Sequence, residues 1–340
     1  MRYIRQEIFR EIGKKGQEKL GNSTVAIVGL GALGSVSAEL LARAGIGKLI
    51  LVDRDVVELS NLQRQGLFDE TDVGKPKALS AKVHLNEINS DVKIDFFIDD
   101  LNCNNIKKLI PINDLNSKKN KNKIKNAVDL ILDCTDNLET RFLVNDFSVK
   151  NKIPFIYSSA VGSKGYVFDA IPSKTACLRC FLREASSLDT CETAGVLNTI
   201  TNLISSIQVN EAIKILLNKE YQKNLLYFDV WKNELLKIKV TKNNNCICCA
   251  KNNFEYLIGK KSSRIVKLCG DNVYQIKTKS MDEKQFNKLK LKLKNIGRVV
   301  DFGYCINFEN KLTIFNDGRA LIKAKDEKEA KSLYSKYVGN

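Results

Sequence analysis

Histidine occurs once in the 340 residues, at position 84. It falls inside an expected helix and reads as a structural residue, so any catalysis has to proceed without a histidine base. Long apolar runs are missing too. No stretch of eighteen apolar residues occurs, so no transmembrane helix is expected. The first twenty residues, "MRYIRQEIFREIGKKGQEKL", are charged throughout and lack an apolar h-region, so no secretory signal is expected. A cytoplasmic location follows as an expectation. Thiols stay reduced there, and ten cysteines then point to metal binding or catalysis rather than disulfides.

Negative charge is also in short supply: the net charge is +16. Nucleic acid would suit such a balance. However, the lysines are scattered, or lie in "NSKKNKNKIKN" (116–126) and along "EKQFNKLKLKLKN". No aromatic-interleaved basic stripe accompanies them, so a nucleic-acid partner is not expected. An anionic substrate or partner stays open, because positive potential steers such ligands.

The length suits two domains. Residues 1–20 have the pattern of an amphipathic helix with Ile4, Ile8, Phe9 and Ile12 on one face. Val25–Val28 is an expected strand, followed by glycines and a helix with Val36, Leu40 and Leu41 inward. Leu49–Val52 is a second strand that ends at Asp53. Such a βαβ unit implies parallel strands with a right-handed crossover. "KPKALSAKVHLNEIN" reads as a helix, "KIDFFID" as a strand and 113–127 as a low-complexity loop. "AVDLILDCTD" reads as a strand containing Cys134, "NLETRFLVNDFSVKN" as a helix and "IPFIYSSAV" as a strand. The alternation predicts a doubly wound, mostly parallel α/β sheet of Rossmann-like type. Next come "GYVFDAI", a cysteine pair, a helix at about 198–218 and a hairpin, "LLYFDVWKNELLKIKV". We place one domain at 1–255. Residues 262–340 then form a small α+β appendage of order β-α-β-β-β-α, with strands around 297–306, 310–315 and 319–323.

The turn after the first strand carries Gly29, Gly31 and Gly34, which together form G-x-G-x-x-G. Glycines there allow a phosphate to approach the backbone, and the following helix N-terminus favours negative charge. Asp53 fits the ribose-binding acid of that motif. Glycines kept only for helix–sheet packing are the alternative. The motif alone does not separate a dinucleotide from ATP. "DRDVVELSNLQRQGLFDETDVGKPKA" does more, because it gathers Asp53, Asp55, Asn61, Arg64, Gln65 and Lys77. Hydride transfer needs no such cations. ATP chemistry needs them to neutralise the reacting phosphorus and the leaving pyrophosphate. It also needs Mg2+, held by one or two carboxylates. Asp136 stands at the carboxyl end of its strand, where such folds bind ligands. Its alternative role is to cap the helix that follows.

Six stretches, "RYIRQ", "VGLGALGS", "SNLQRQ", "VGKPKA", "DCTDN" and "CETAGV", occur in the order and rough spacing seen in the ThiF/MoeB/HesA family. Over residues 1–250 the chain resembles these prokaryotic relatives of ubiquitin-activating E1 enzymes. The resemblance implies a nucleotidyltransferase that uses ATP and Mg2+ to adenylate the C-terminal glycine of a small ubiquitin-fold sulfur carrier ending in Gly-Gly. It implies that Gly31 and Ala32 line the phosphate site. Asp53 would hold the ribose, and Ser60, Asn61 and Arg64 the phosphates. Lys77 would stabilise the transition state, Asp136 bind Mg2+ and Asn137 lie beside the nucleotide. Arg5 would reach into the site of a second subunit, implying a homodimer; a helix-surface salt bridge is the alternative. A cysteine desulfurase or rhodanese joins the partners implied. The carrier's pathway (thiamin, molybdopterin, tRNA thiolation or protein modification) stays open, as does the role of residues 262–340.

Cys177–Cys180 and Cys246–Cys249 are two C-x-x-C pairs that read as a four-thiolate structural Zn2+ site. Cys248 leaves the fourth ligand open, with Cys249 preferred for its spacing. Cys269 and Cys305 read as core residues of the appendage. Cys191, in "LDTCETAGVL", is either a nucleophile that attacks the acyl-adenylate or a dispensable residue on a loop. The resemblance implies a covalent link from this position to the carrier. A nicotinamide-dependent oxidoreductase predicts a catalytic acid–base pair and a substrate pocket in the second half; neither is legible. A non-catalytic binding module predicts salt-steep oligonucleotide binding.

Overall fold

The computed structural model describes residues 2–112, 127–182, 194–261, 265–267, 273–276 and 281–339. The low-complexity segment 113–126, Cys191 and Cys269 lie outside the described residues. The chain divides into two compact units, residues 1–73 with 77–262 and residues 74–76 with 263–340.

The first unit is organised by its first strand. β1 (Thr24–Val28) is buried at every position, as expected of a strand covered on both faces. Val25 and Ile27 join one core and Ala26 and Val28 the other. β2 (Lys48–Val52) and β4 (Leu130–Asp133) pair with β1 in parallel on either side. β3 (Lys93–Phe97) extends the sheet beyond β2, and β5 (Phe155–Val161) beyond β4. β6 (Lys164–Ala170), β7 (Leu225–Asp229) and β8 (Glu234–Ile238) then continue it antiparallel, giving the order β3-β2-β1-β4-β5-β6-β7-β8. α3 (Gly34–Ala44), α4 (Lys77–Ile88) and α7 (Asn198–Leu216) cover one face through Leu41, Leu85 and Ile204. α5 (Ile106–Leu109) and α6 (Leu138–Asn151) cover the other through Leu109, Phe142 and Phe147. The strand order reverses at β1, so the crevice outside the carboxyl ends of β1 and β4 is the switch point where such sheets take ligands.

The N-terminal expectation needs correction. Residues 1–20 are two helices, α1 (Ile4–Ile8) and α2 (Gly13–Gly21), not one. The chain turns extended at Phe9 and re-enters a helix through Gly13, whose φ is +62°. Ile8 and Phe9 are 66% and 58% exposed, so of the apolar stripe Ile12 packs on this chain's core and Ile8 and Phe9 do not. Cys134 follows β4 rather than lying within it, although its N–H still donates to Val28 O.

The second unit is an antiparallel six-stranded sheet ordered β11-β12-β13-β14-β10-β9. Its strands are β9 (Ile265–Lys267), β10 (Val273–Ile276), β11 (Val299–Asp301), β12 (Cys305–Phe308), β13 (Leu312–Phe315) and β14 (Ala320–Lys323). α8 (Glu283–Lys294) and α9 (Glu327–Tyr337) bury Phe286, Leu293 and Tyr334 in its core. The single strand expected at 297–306 is two, separated at Gly303, whose φ is +83°. β9 is an addition to the expected order.

Candidate nucleotide site and metal centre

The glycine turn joins β1 to α3, and its three glycines serve different ends. Gly29 has φ +87°, and a Cβ there would stand 2.8 Å from Cys134 O. A Cβ on Gly34 would stand 1.8 Å from Gly29 O. These two are demanded by the turn and by helix–sheet contact. Gly31 is different: a Cβ there meets nothing nearer than Gln65 Nε2, at 3.9 Å. The protein itself does not require that glycine. A group approaching the backbone from outside would.

Asp53 closes the turn from β2. Its Oδ2 accepts from Leu30 N at 2.5 Å and its Oδ1 from Asp55 N at 2.7 Å. Burial pushes this carboxyl above its usual range, and the nearby Lys77 charge opposes that rise. Both oxygens are thus engaged by backbone N–H groups, with lone pairs to spare for a hydroxyl. Lys77 opens α4 and is buried, 7% exposed. Its N–H donates to Asp55 O at 2.9 Å, and its Nζ lies 3.8 Å from Asp55 Oδ2. A cation in a first helical turn works against the helix dipole, so packing alone does not favour it there.

The segment between β2 and α4 supplies the other polar groups. Asn61 is buried in a short 3-10 turn, where its Oδ1 accepts from Glu58 N. Arg64 folds back so that its guanidinium donates to Ser60 O at 2.9 Å. The Gln65 Oε1 atom is buried without a hydrogen-bond partner in the described residues. Such an atom is costly unless something binds it.

Asp136 is exposed just beyond β4. It does not cap α6. Asn137 does, its Oδ1 accepting from Thr140 N at 2.8 Å. This overturns the alternative role considered for Asp136 and commits the Asn137 oxygen to the helix, leaving its amide N–H2. Arg5 stands elsewhere. Its neighbour Gln6 donates to Ala44 O at 2.9 Å, at the far end of α3 from Gly34. The eleven residues of α3 put Arg5 roughly 15 Å from its own glycine turn. Arg5 is exposed, and no salt bridge engages it among the described residues.

Beside α6, against Val149, four thiols converge. Cys177 Sγ lies 3.9 Å from Cys180 Sγ and 3.6 Å from Cys246 Sγ, and Cys180 Sγ lies 3.5 Å from Cys249 Sγ. Four sulfurs bonded at about 2.3 Å to a tetrahedral ion would sit about 3.8 Å apart, so the set fits zinc. Contact with Cys177 and burial push the Cys180 thiol up to about 12, and burial with the Cys180 contact does the same to Cys249. Thiols raised in this way ionise together only around a cation. Cys248 is buried but outside the set: Asn145 Nδ2 donates to its sulfur at 3.3 Å. The Asn145 Oδ1 atom accepts from Leu178 N at 2.8 Å, so one amide ties both cysteine loops to α6.

A family model described as ThiF family matches residues 3–249. The chain belongs to the ThiF family. Among ThiF relatives it is 39% identical to the sulfur carrier protein ThiS adenylyltransferase of Bacillus subtilis, over 99% of both chains. It is 34% identical to the protein of that name in Escherichia coli, covering 74% of this chain and 96% of the relative. The SAMP-activating enzyme E1 of Haloferax volcanii is 33% identical over 73% of this chain and 88% of that protein. Among solved structures, E. coli MccB with ATP superposes with a TM-score of 0.62 at 22% identity, covering 73% of this chain and 74% of MccB, a likeness of fold.

Most of the ThiF motif residues thus gather at one sheet edge, and Arg5 does not. Two contributors went unnoticed in the sequence. Arg54 lies between two aspartates and donates to Asp100 Oδ1 at 2.8 Å. Its partner is 46 positions away, and "DRD" was the only local hint. Asn145 carried no signal at all within its helix.

Proposed function

We propose that this chain uses ATP to adenylate the C-terminal glycine of a small ubiquitin-fold sulfur carrier and releases pyrophosphate. The observation that carries this reading is Lys77, a buried cation at the head of α4 facing the carboxylates beside the glycine turn. A carboxylate nucleophile is already ionised, so the reaction calls for no general base. It calls for alignment and for charge stabilisation on the phosphorus and the departing pyrophosphate.

In this reading the triphosphate lies along the turn at Gly31 and Ala32, and Asp53 receives the ribose hydroxyls. Ser60, Asn61, Arg64 and Gln65 flank the phosphates. Lys77 leaves its loose contact with Asp55 to meet charge that grows in the transition state. Asp136, with Asp55 nearby, would hold Mg2+, which when bound neutralises phosphate oxygens. The tetrad of Cys177, Cys180, Cys246 and Cys249 would hold Zn2+. Four protein ligands leave no open position, so that role is structural. Arg5 supports a homodimer with shared sites, because within its own chain it stands at the wrong end of α3. Cys191 is the candidate second nucleophile, attacking the acyl-adenylate and expelling AMP. The B. subtilis likeness extends through both units, whereas the H. volcanii likeness covers 73% of the chain. The 39% identity along the whole B. subtilis enzyme, against 33% to the H. volcanii enzyme, supports a ThiS-type carrier.

Exchange of labelled pyrophosphate into ATP tests the proposal. Exchange is expected only with Mg2+ and a carrier bearing its terminal glycine. Exchange with no carrier, or none with any ubiquitin-fold carrier of the same organism, would reject it. Tight NADH binding without exchange would favour an oxidoreductase instead.

A further inference from the structure

Two carboxylates from two strand ends contact one guanidinium. Arg54 follows β2, and its side chain is only 14% exposed. It donates to Asp100 Oδ1 at 2.8 Å, beyond β3, and its Nε lies 3.8 Å from Asp55 Oδ1. Asp136, beyond β4, also acts on it electrostatically. The Asp55 contacts are slack. Arg54 and Lys77 each stand 3.8 Å from one of its oxygens, beyond hydrogen-bond length, and Oδ1 is buried with no hydrogen-bond partner.

This arrangement has a consequence for an ATP site. Aspartates 53, 55, 100 and 136 together attract a divalent ion but repel a triphosphate. In two-metal phosphoryl-transfer sites the excess carboxylates are balanced by a second ion. Here the balancing charge is covalently fixed. A guanidinium stays protonated in proteins, so its charge beside Asp55 and Asp100 is permanent. Arg54 is anchored by Asp100 and not by the phosphates, so it differs in kind from Arg64 and Lys77.

We infer that Arg54 is the built-in cation of this site, standing against Asp55 and Asp100 where a second divalent ion would otherwise be required. It acts as a positioning residue: it restrains Asp55 and offsets the acidic strand ends so that nucleotide binds with a single divalent ion. The inference rests on the ATP reading above.

The test is equilibrium binding of α,β-methylene ATP to the full chain as Mg2+ is varied from micromolar to tens of millimolar. The wild type is expected to take up one ion per nucleotide. Arg54→Gln should bind the analogue about tenfold more weakly at low Mg2+, the order of effect of one unit charge near 10 Å in protein surroundings. That deficit should close as Mg2+ rises, with uptake of a second ion. The paired change Arg54→Gln with Asp100→Asn removes both charges with little change of shape, and it should return to one ion. A deficit independent of Mg2+, or a second ion in both variants or in neither, overturns the inference. Arg54→Lys guards against misfolding: it keeps the charge and should keep single-ion binding. A second ion in it would also overturn the idea. A wild-type chain that binds no analogue at any Mg2+ concentration sinks the ATP reading and the inference with it.

Discussion

Replacing Lys77 with glutamine separates chemistry from fold at this site. Lys77 is 7% exposed, and its ammonium meets Asp55 only at 3.8 Å. The folded protein therefore gains little from that pair. The first-turn position also sets the charge against the helix dipole, by about 0.3–1 kcal/mol. Against this, Asp53 and Asp55 lose a neighbouring cation. The two effects are of similar size, so melting should move by no more than about 1 kcal/mol of stability. Catalysis should suffer more. Removing one preorganised group aimed at developing charge costs roughly 10²–10³ in rate, or about 3–4 kcal/mol. Pyrophosphate exchange at saturating ATP and carrier reads that loss directly. The pH profile gives a second handle. Burial raises the Asp53 carboxyl and Lys77 counters it, so without Lys77 the carboxyl rises further. The acid limb of exchange should then shift toward neutral pH. Exchange within threefold of wild type, with an unmoved acid limb, would refute the role given to Lys77.

Gly31→Ala should fold normally and lose ATP affinity, since its Cβ meets only Gln65 at 3.9 Å; Gly34→Ala, with a Cβ 1.8 Å from Gly29 O, should not accumulate as folded protein. Circular dichroism and nucleotide titration distinguish the two. Asp169 and Glu211 are buried together, and Gln222 N donates to both, at 3.1 and 2.9 Å. Burial and then Glu211 push Asp169 up to about 9. The folded state thus binds this proton more tightly than the unfolded chain. Its stabilisation is complete below about pH 4 and is lost as pH rises toward 9, at about 1.4 kcal/mol per unit for one shared proton. Asp169→Asn should flatten that slope in urea melts at several pH values, and an unchanged slope would count against the shared proton. Cys249→Ser should lose bound zinc and Cys248→Ser retain it, as measured by metal content after purification. Cys191→Ala should keep pyrophosphate exchange but lose any thiol-labile adduct with the carrier.

Much of this was legible along the chain because the signals are local. β1 is apolar from Val25 to Val28 since both of its faces are covered, and three glycines in six residues announce the turn after it. The two C-x-x-C pairs announce themselves by spacing, which also favoured Cys249. What spacing does not reveal is the Asn145 amide that donates to the Cys248 sulfur. Ile4, Ile8 and Phe9 illustrate another limit. Their helical period is real, but periodicity shows an apolar face without saying what covers it, and here this chain's own core does not. Gly303 in "DFGYC" broke an expected strand because its left-handed backbone cannot continue a ladder. Arg54 stayed hidden because its meaning depends on Asp100, 46 positions away, which meets it only when two strand ends align.

The most direct test of the central claim is the intact mass of a ubiquitin-fold sulfur carrier after incubation with this protein, ATP, Mg2+ and pyrophosphatase. The expected product is a carrier heavier by one adenylate, attached at the terminal glycine and absent when that glycine is deleted. A carrier that keeps its mass while ATP is consumed, or gains adenylate without its terminal glycine, would contradict that claim.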